Sequence, residues 1–182
     1  MANTSNVAAG KPKIGGAVSV APAGTTVPTD ATTALAAAFK NLGYVSEDGM
    51  TRNITRESES VKAWGGDTIL TPMTNFEETF TFTLVESLNA DVRKAVFGDT
   101  NVTGTLADGM TTTVNSKQLE NHVWVVDLLV NGAVSRIVIP IGSVSEVGEI
   151  EYVDDDAVGF EVTVTALPDA SGNTSYEYTK TA

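Results

Sequence analysis

Between residues 76 and 84 the side chains alternate so regularly that only one secondary structure accommodates them. Phe76, Phe80, Phe82 and Leu84 fall on one face, and Glu77, Thr79, Thr81 and Thr83 fall on the other. That is the period-two pattern of a strand with one buried side. Glu78 breaks the apolar face near its start. A strand of this kind needs another layer to cover it, and most of the remaining sequence also reads as strand. Residues 122–130 are apolar on both faces, as a central strand would be. Asn131-Gly132 is a strong hairpin signal and leads into a strand over 134–141. A half-acidic strand is expected over 144–153. Residues 158–165 alternate again, with Val158, Phe160, Val162 and Val164 against Glu161, Thr163 and Thr165. Residues 14–20 and 111–114 have strand composition.

Helices are a minority. Thr29 or Asp30 can cap a short one in which Leu35, Phe39 and Leu42 recur at helical spacing and Gly43 stops it. A second is expected over 88–97, capped by Ser87 or Asn89 and closed by Gly98. The fold class is therefore all-β, a sandwich or barrel with one or two short α-helices. Residues 1–13 read as a polar N-terminal arm, 14–167 as the domain and 168–182 as a C-terminal arm carrying Tyr176 and Tyr178. Within the domain, residues 46–75 form a connection too long for a compact fold unless it has a function. Residues 51–56 within it are extended.

The chain has 182 residues and no cysteine, so disulfides, thiolate metal sites and cysteine nucleophiles are excluded. Residues 1–10 lack the basic start and apolar stretch of a signal peptide. The apolar run 123–130, broken by Asp127, is far shorter than a membrane span. A soluble protein with no membrane association is expected. The formal net charge is −12 and is unevenly spread. Residues 1–75 hold six bases and six acids, whereas 76–182 hold five bases and seventeen acids. A surface this acidic has no basic footprint for gripping phosphates.

Reactive chemistry is sparse. His122 is the only histidine and sits at a strand start, so a histidine metal site is out, a serine triad would depend on that single residue, and a strand-edge polar role is expected. Gly15-Gly16 and Gly65-Gly66 lack the spacing and lysine of a phosphate loop. Asp154 and Asp156 could open a calcium loop, but Val158 and Thr165 stand where oxygen ligands belong. Glu77 and Glu78, adjacent on a strand, point to opposite faces and cannot act together. No catalytic residue, metal ligand or cofactor is expected, and the chain is read as a non-enzyme.

Four passages carry a family likeness: ALAAAFKNLGYVSEDGMT at residues 34–51, the extended segment 54–64, the strand 76–85 with the helix 88–97 after it, and the closing acidic meander. Over nearly its whole length the chain resembles the major tail tube proteins of bacteriophages with long, non-contractile (siphovirus-type) tails. The resemblance implies a β-sandwich-like subunit that forms hexameric rings, stacked into a hollow tube for DNA delivery. It implies that residues 46–75, with Arg52, Arg56 and Trp64, and the two terminal arms join ring to ring. It implies as partners other copies of the chain, the tape measure, tail terminator and distal tail or baseplate proteins. Viral DNA would pass through without specific binding. The product would be a virion component assembled in the host cytoplasm. The acidic imbalance suits a bore that must not hold DNA, and Glu77, Glu149, Glu151 and Glu161, alternating with apolar residues on expected strands, are the candidates to line it. Rival readings are a tail terminator or head decoration protein, and a carbohydrate-binding sandwich. The last needs exposed aromatics, and of Trp64 and Trp124 the second lies in the most apolar strand, where a core role is expected.

Overall fold

A computed structural model describes residues 2–4 and 7–181. Of the expected arms, positions 1, 5, 6 and 182 lie outside the described residues. The strands are β1 (Gly10–Pro12), β2 (Val18–Pro22), β3 (Lys40–Asn41), β4 (Val45–Ser58), β5 (Val61–Lys62), β6 (Thr68–Leu70), β7 (Met73–Leu84), β8 (Val102–Thr103), β9 (Thr111–Thr112), β10 (His122–Val130), β11 (Ala133–Val147), β12 (Phe160–Ala166) and β13 (Tyr176–Thr181). Among the described residues there is one α-helix, α1, spanning Ala90–Phe97. The fold is all-β, as its sequence predicts.

The main sheet runs β3-β2-β10-β11-β12-β7-β4, with β1 on β10 and β13 on β11. Its pairings are antiparallel, and β11 is the pivot. The first part of β11 pairs with β10 and β13, and its last part, from Gly142, pairs with β12. A Cβ on Gly142 would stand 2.5 Å from the Trp124 ring, so only glycine lets β11 pass the indole here. The two halves of the sheet share one core. Val18, Val20, Trp124, Val126, Ile137 and Ile139 come from one half, and Phe80, Phe82, Leu84, Phe160, Val162 and Val164 from the other. Phe82 meets Trp124 edge-on, ring centroids 6.0 Å apart. Burying each such side chain contributes about 1.5–3 kcal/mol, so the alternation seen at residues 76–84 does the structural work. Trp124 is buried, as expected.

Helix α1 packs Val92, Ala95 and Val96 into that core. Asn89 caps it by accepting from the Asp91 N–H at 3.0 Å, and Gly98 ends it with φ +102°. The Asn131-Gly132 turn joins β10 to β11 with φ of 48° and 81°, the two left-handed residues that a tight primed hairpin requires.

The helix expected after Asp30 is absent; residues 29–39 are irregular. Asp30 does accept from the N–H groups of Thr32 and Thr33, at 2.7 and 2.6 Å, but the turn it closes does not propagate. Arg136, 2% exposed on the face of β11 away from the core, competes for the segment's carbonyls. Its Nη1 takes the carbonyls of Asp30 and Thr33, at 3.1 and 2.8 Å, which a helix would have used for its own ladder. Lys40 and Asn41 then pair with β2, and the Leu42 N–H reaches the Val18 carbonyl at 2.9 Å. The strand expected over 144–153 is also corrected. β11 continues through a bulge between Val144 and Glu146 and stops at Val147; the Gly148 N–H makes a last bond to the Glu161 carbonyl at 2.8 Å, and residues 149–159 belong to no strand.

Candidate functional site

The polar segment 46–75 is not a loose connection: most of it is a β-ribbon. β4, with 14 residues, pairs with β7 from Met50↔Phe82 to Ser58↔Met73, and β5 and β6 form a small second ribbon at the tip. A register jump between Val45 and Met50, where Gly49 takes φ +75°, starts it. The ribbon outruns the core. Ile54, Val61, Ile69, Leu70 and Met73 are exposed and Trp64 is fully so. Polar and apolar faces follow from strand alternation. Arg52, Ile54, Arg56, Phe76 and Glu78 share the face that continues the core, and Asn53, Thr55, Glu57, Asn75 and Glu77 share the other. Arg56 lies over the Phe76 ring at 4.6 Å, a cation–π contact that holds an exposed aromatic flat on the ribbon.

At the ribbon's root, Glu78 is 2% exposed. Arg52 Nε donates to its Oε1 at 2.6 Å, Ser175 Oγ at 2.9 Å, and Thr174 Oγ1 donates to its Oε2. Arg52 Nη1 also reaches Glu177 Oε2 of β13 at 3.1 Å. The residue that interrupts the apolar pattern is therefore a buried anchor tying the ribbon to the C-terminal strand. Arg52 points into this cluster, while Arg56 and Trp64 stay accessible. At the start of β13, Tyr176 donates its hydroxyl to Asp169 at 2.6 Å. That bond lowers the Asp169 pKa and raises the Tyr176 pKa.

The face of β4, β7 and β12 away from the core carries Thr51, Asn53, Thr55, Glu77, Thr79, Thr81, Thr83, Glu161, Thr163 and Thr165. Thr81 and Thr163 hydrogen-bond across strands at 3.0 Å. Glu77 and Glu161 thus share one surface. Glu149 and Glu151 do not lie on strands as expected; both sit in the 148–159 loop, exposed. The loop nevertheless brings them beside Glu161 in a concavity of about 430 Å³, lined also by Glu47, Asp48 and Asp156 and by no lysine or arginine. Glu47, Asp48 and Asp156 were missed from sequence because their proximity depends on the β4–β7–β12 pairing. Among the described residues no group of histidines and carboxylates is arranged to hold a metal ion. The surface is a charged wall.

Among the described residues, no helix is long and apolar enough to cross a membrane. The sequence model of the phage tail tube protein family matches residues 2–181. The chain belongs to that family, and is thereby a structural component of a phage tail that assembles into a tube. No curated protein matches the chain significantly.

Proposed function

We propose that copies of this chain close head to tail into rings, six to a ring as the resemblance implies, and that the rings stack into the tail tube of a siphovirus-type phage. The observation that carries this reading is the ribbon: fully exposed Trp64, with Ile69, Leu70 and Met73, crowns an arm projecting from an otherwise well-packed core. Exposed apolar side chains clustered on one projection fit a partner. β4 and β13 each have one unpaired edge in a lone chain, and ring closure would cover such edges. The hydroxyl- and carboxylate-covered face is assigned to the bore, with Glu77 and Glu161 on its strands and Glu149 and Glu151 at its margin. Screening limits charge repulsion to about 8 Å at physiological salt, so the wall keeps DNA from sticking during ejection without holding it away.

Residues 1–13 and 168–182 are proposed as further ring-to-ring contacts. In a lone chain the strands they contain, β1 and β13, lie along its own sheet. The tape measure inside and the terminator and distal tail proteins at the ends complete the assembly, in the host cytoplasm. Electron microscopy of the purified, concentrated protein tests the reading. Stacked rings or tubes are expected, and persistent monomers in the presence of the tail's initiating proteins would refute it.

A further inference from the structure

β4 and the β1–β2 edge do not meet. β4 pairs only with β7, while β1 and β2 pair with β10. Between them lies a groove of about 420 Å³. Its floor is the hydrophobic core itself: Ala17, Val18 and Val126, flanked by half-buried Val45, Met50 and Leu128. Its rim carries Glu47 and Asp48, which the register jump at Gly49 lifts out of the β4 ladder.

We propose that this groove receives the ribbon tip, with Trp64, Ile69 and Leu70, of a second copy of the chain. The inference rests on the tube reading and names the surface that the projecting tip meets. The tip cannot reach the groove of its own chain. Groove and tip sit at opposite ends of β4: residues 45–50 line the groove, and the ladder from Met50 to Ser58, at about 3.3 Å per residue, puts about 26 Å between the groove and the start of the tip. Charge selects the tip among the chain's surfaces. On a protein of net charge −12 most faces repel one another, but residues 61–70 carry one base, Lys62, and one acid, Asp67. The neutral tip approaches the acidic rim without net repulsion, and Lys62 pairs with Glu47 or Asp48. A pocket at one end and a complementary apolar patch at the other make a heterologous contact that repeats without closing, which is what a stack requires.

The absence of cysteine makes the test direct. Ser46→Cys at the groove and Asp67→Cys at the tip are placed in one chain, assembled, and treated with a short bismaleimide. A ladder of covalent multimers on a denaturing gel is expected, and a control pair, Lys117→Cys with Asp67→Cys, gives none. Tubes that form normally but yield no ladder overturn the groove assignment and leave the tube reading intact. Wild-type protein that forms no tubes sinks both. Independently, Trp64→Ala raises the protein concentration needed for assembly about tenfold or more, the scale of a buried tryptophan anchor. Glu47→Lys with Asp48→Lys weakens assembly, and adding Lys62→Glu restores it. Failure of that charge swap to rescue rules out the pairing.

Discussion

Arg52 donates from Nε to Glu78 across 2.6 Å, linking β4 to its neighbour β7 at the point where the ribbon leaves the core. Because Glu78 also accepts from Thr174 and Ser175, the same carboxylate fastens the C-terminal strand. Two elements proposed for assembly thus share one root.

Removing that carboxylate leaves the Arg52 guanidinium without its buried partner. Glu78→Ala is expected to cost about 3 kcal/mol, the scale for breaking a buried ion pair from one side. Thermal unfolding reads the loss, and amide exchange should rise first in residues 174–181. Unchanged exchange there would separate the C-terminal strand from the anchor.

Deleting residues 60–70 removes the tip and leaves the β4–β7 ribbon and Glu78 intact. The variant should unfold cooperatively near the wild-type temperature and fail to form tubes, as seen by circular dichroism and electron microscopy. Tubes from the shortened protein would take the tip out of the assembly contact.

Glu77→Lys with Glu161→Lys reverses two charges on the hydroxyl-covered face without touching the core. Assembly should continue, and the tubes should then retain double-stranded DNA with an affinity that falls as salt rises. Equal DNA retention by both proteins, or retention only on outer surfaces, would place this face away from the bore.

The Asp169–Tyr176 bond gives stability a defined pH window. The Asp169 pKa lies below its unfolded value, so its contribution holds above about pH 4 and is lost as pH falls through the folded pKa. The Tyr176 pKa is raised, so its contribution holds below about pH 10 and is lost as pH rises further. Tyr176→Phe should therefore lower the unfolding temperature most between about pH 5 and 9. A difference that stays constant into strong acid would show that the hydrogen bond is not the cause.

Elements whose own pattern decides them were legible in the sequence. β7 and β12 announce themselves by alternation, Asn131-Gly132 by its turn chemistry, and α1 by Asn89 and Gly98. The missing helix at 29–43 shows where local reading stops. Its alanines, cap and spacing all favour helix, yet two of its carbonyls are claimed by Arg136, more than a hundred positions away. Glu149 and Glu151 alternate with apolar neighbours in a segment that finds no strand to pair with. The acidic concavity was only half visible, since Glu47, Asp48 and Glu161 become neighbours through strand pairing. Glu78 looked like a flaw in a strand and proved to be its tether.

The regular pairing of β4 with β7 makes the ribbon a gauge. Lengthening both strands by two residues would push the tip outward by about 7 Å and keep every side chain on its present face. Lengthening by one would swap the faces, putting threonines and glutamates where arginine and phenylalanine now lie. Spacing between successive copies in a stack would then be adjustable only in steps of two residues, with odd insertions forbidden.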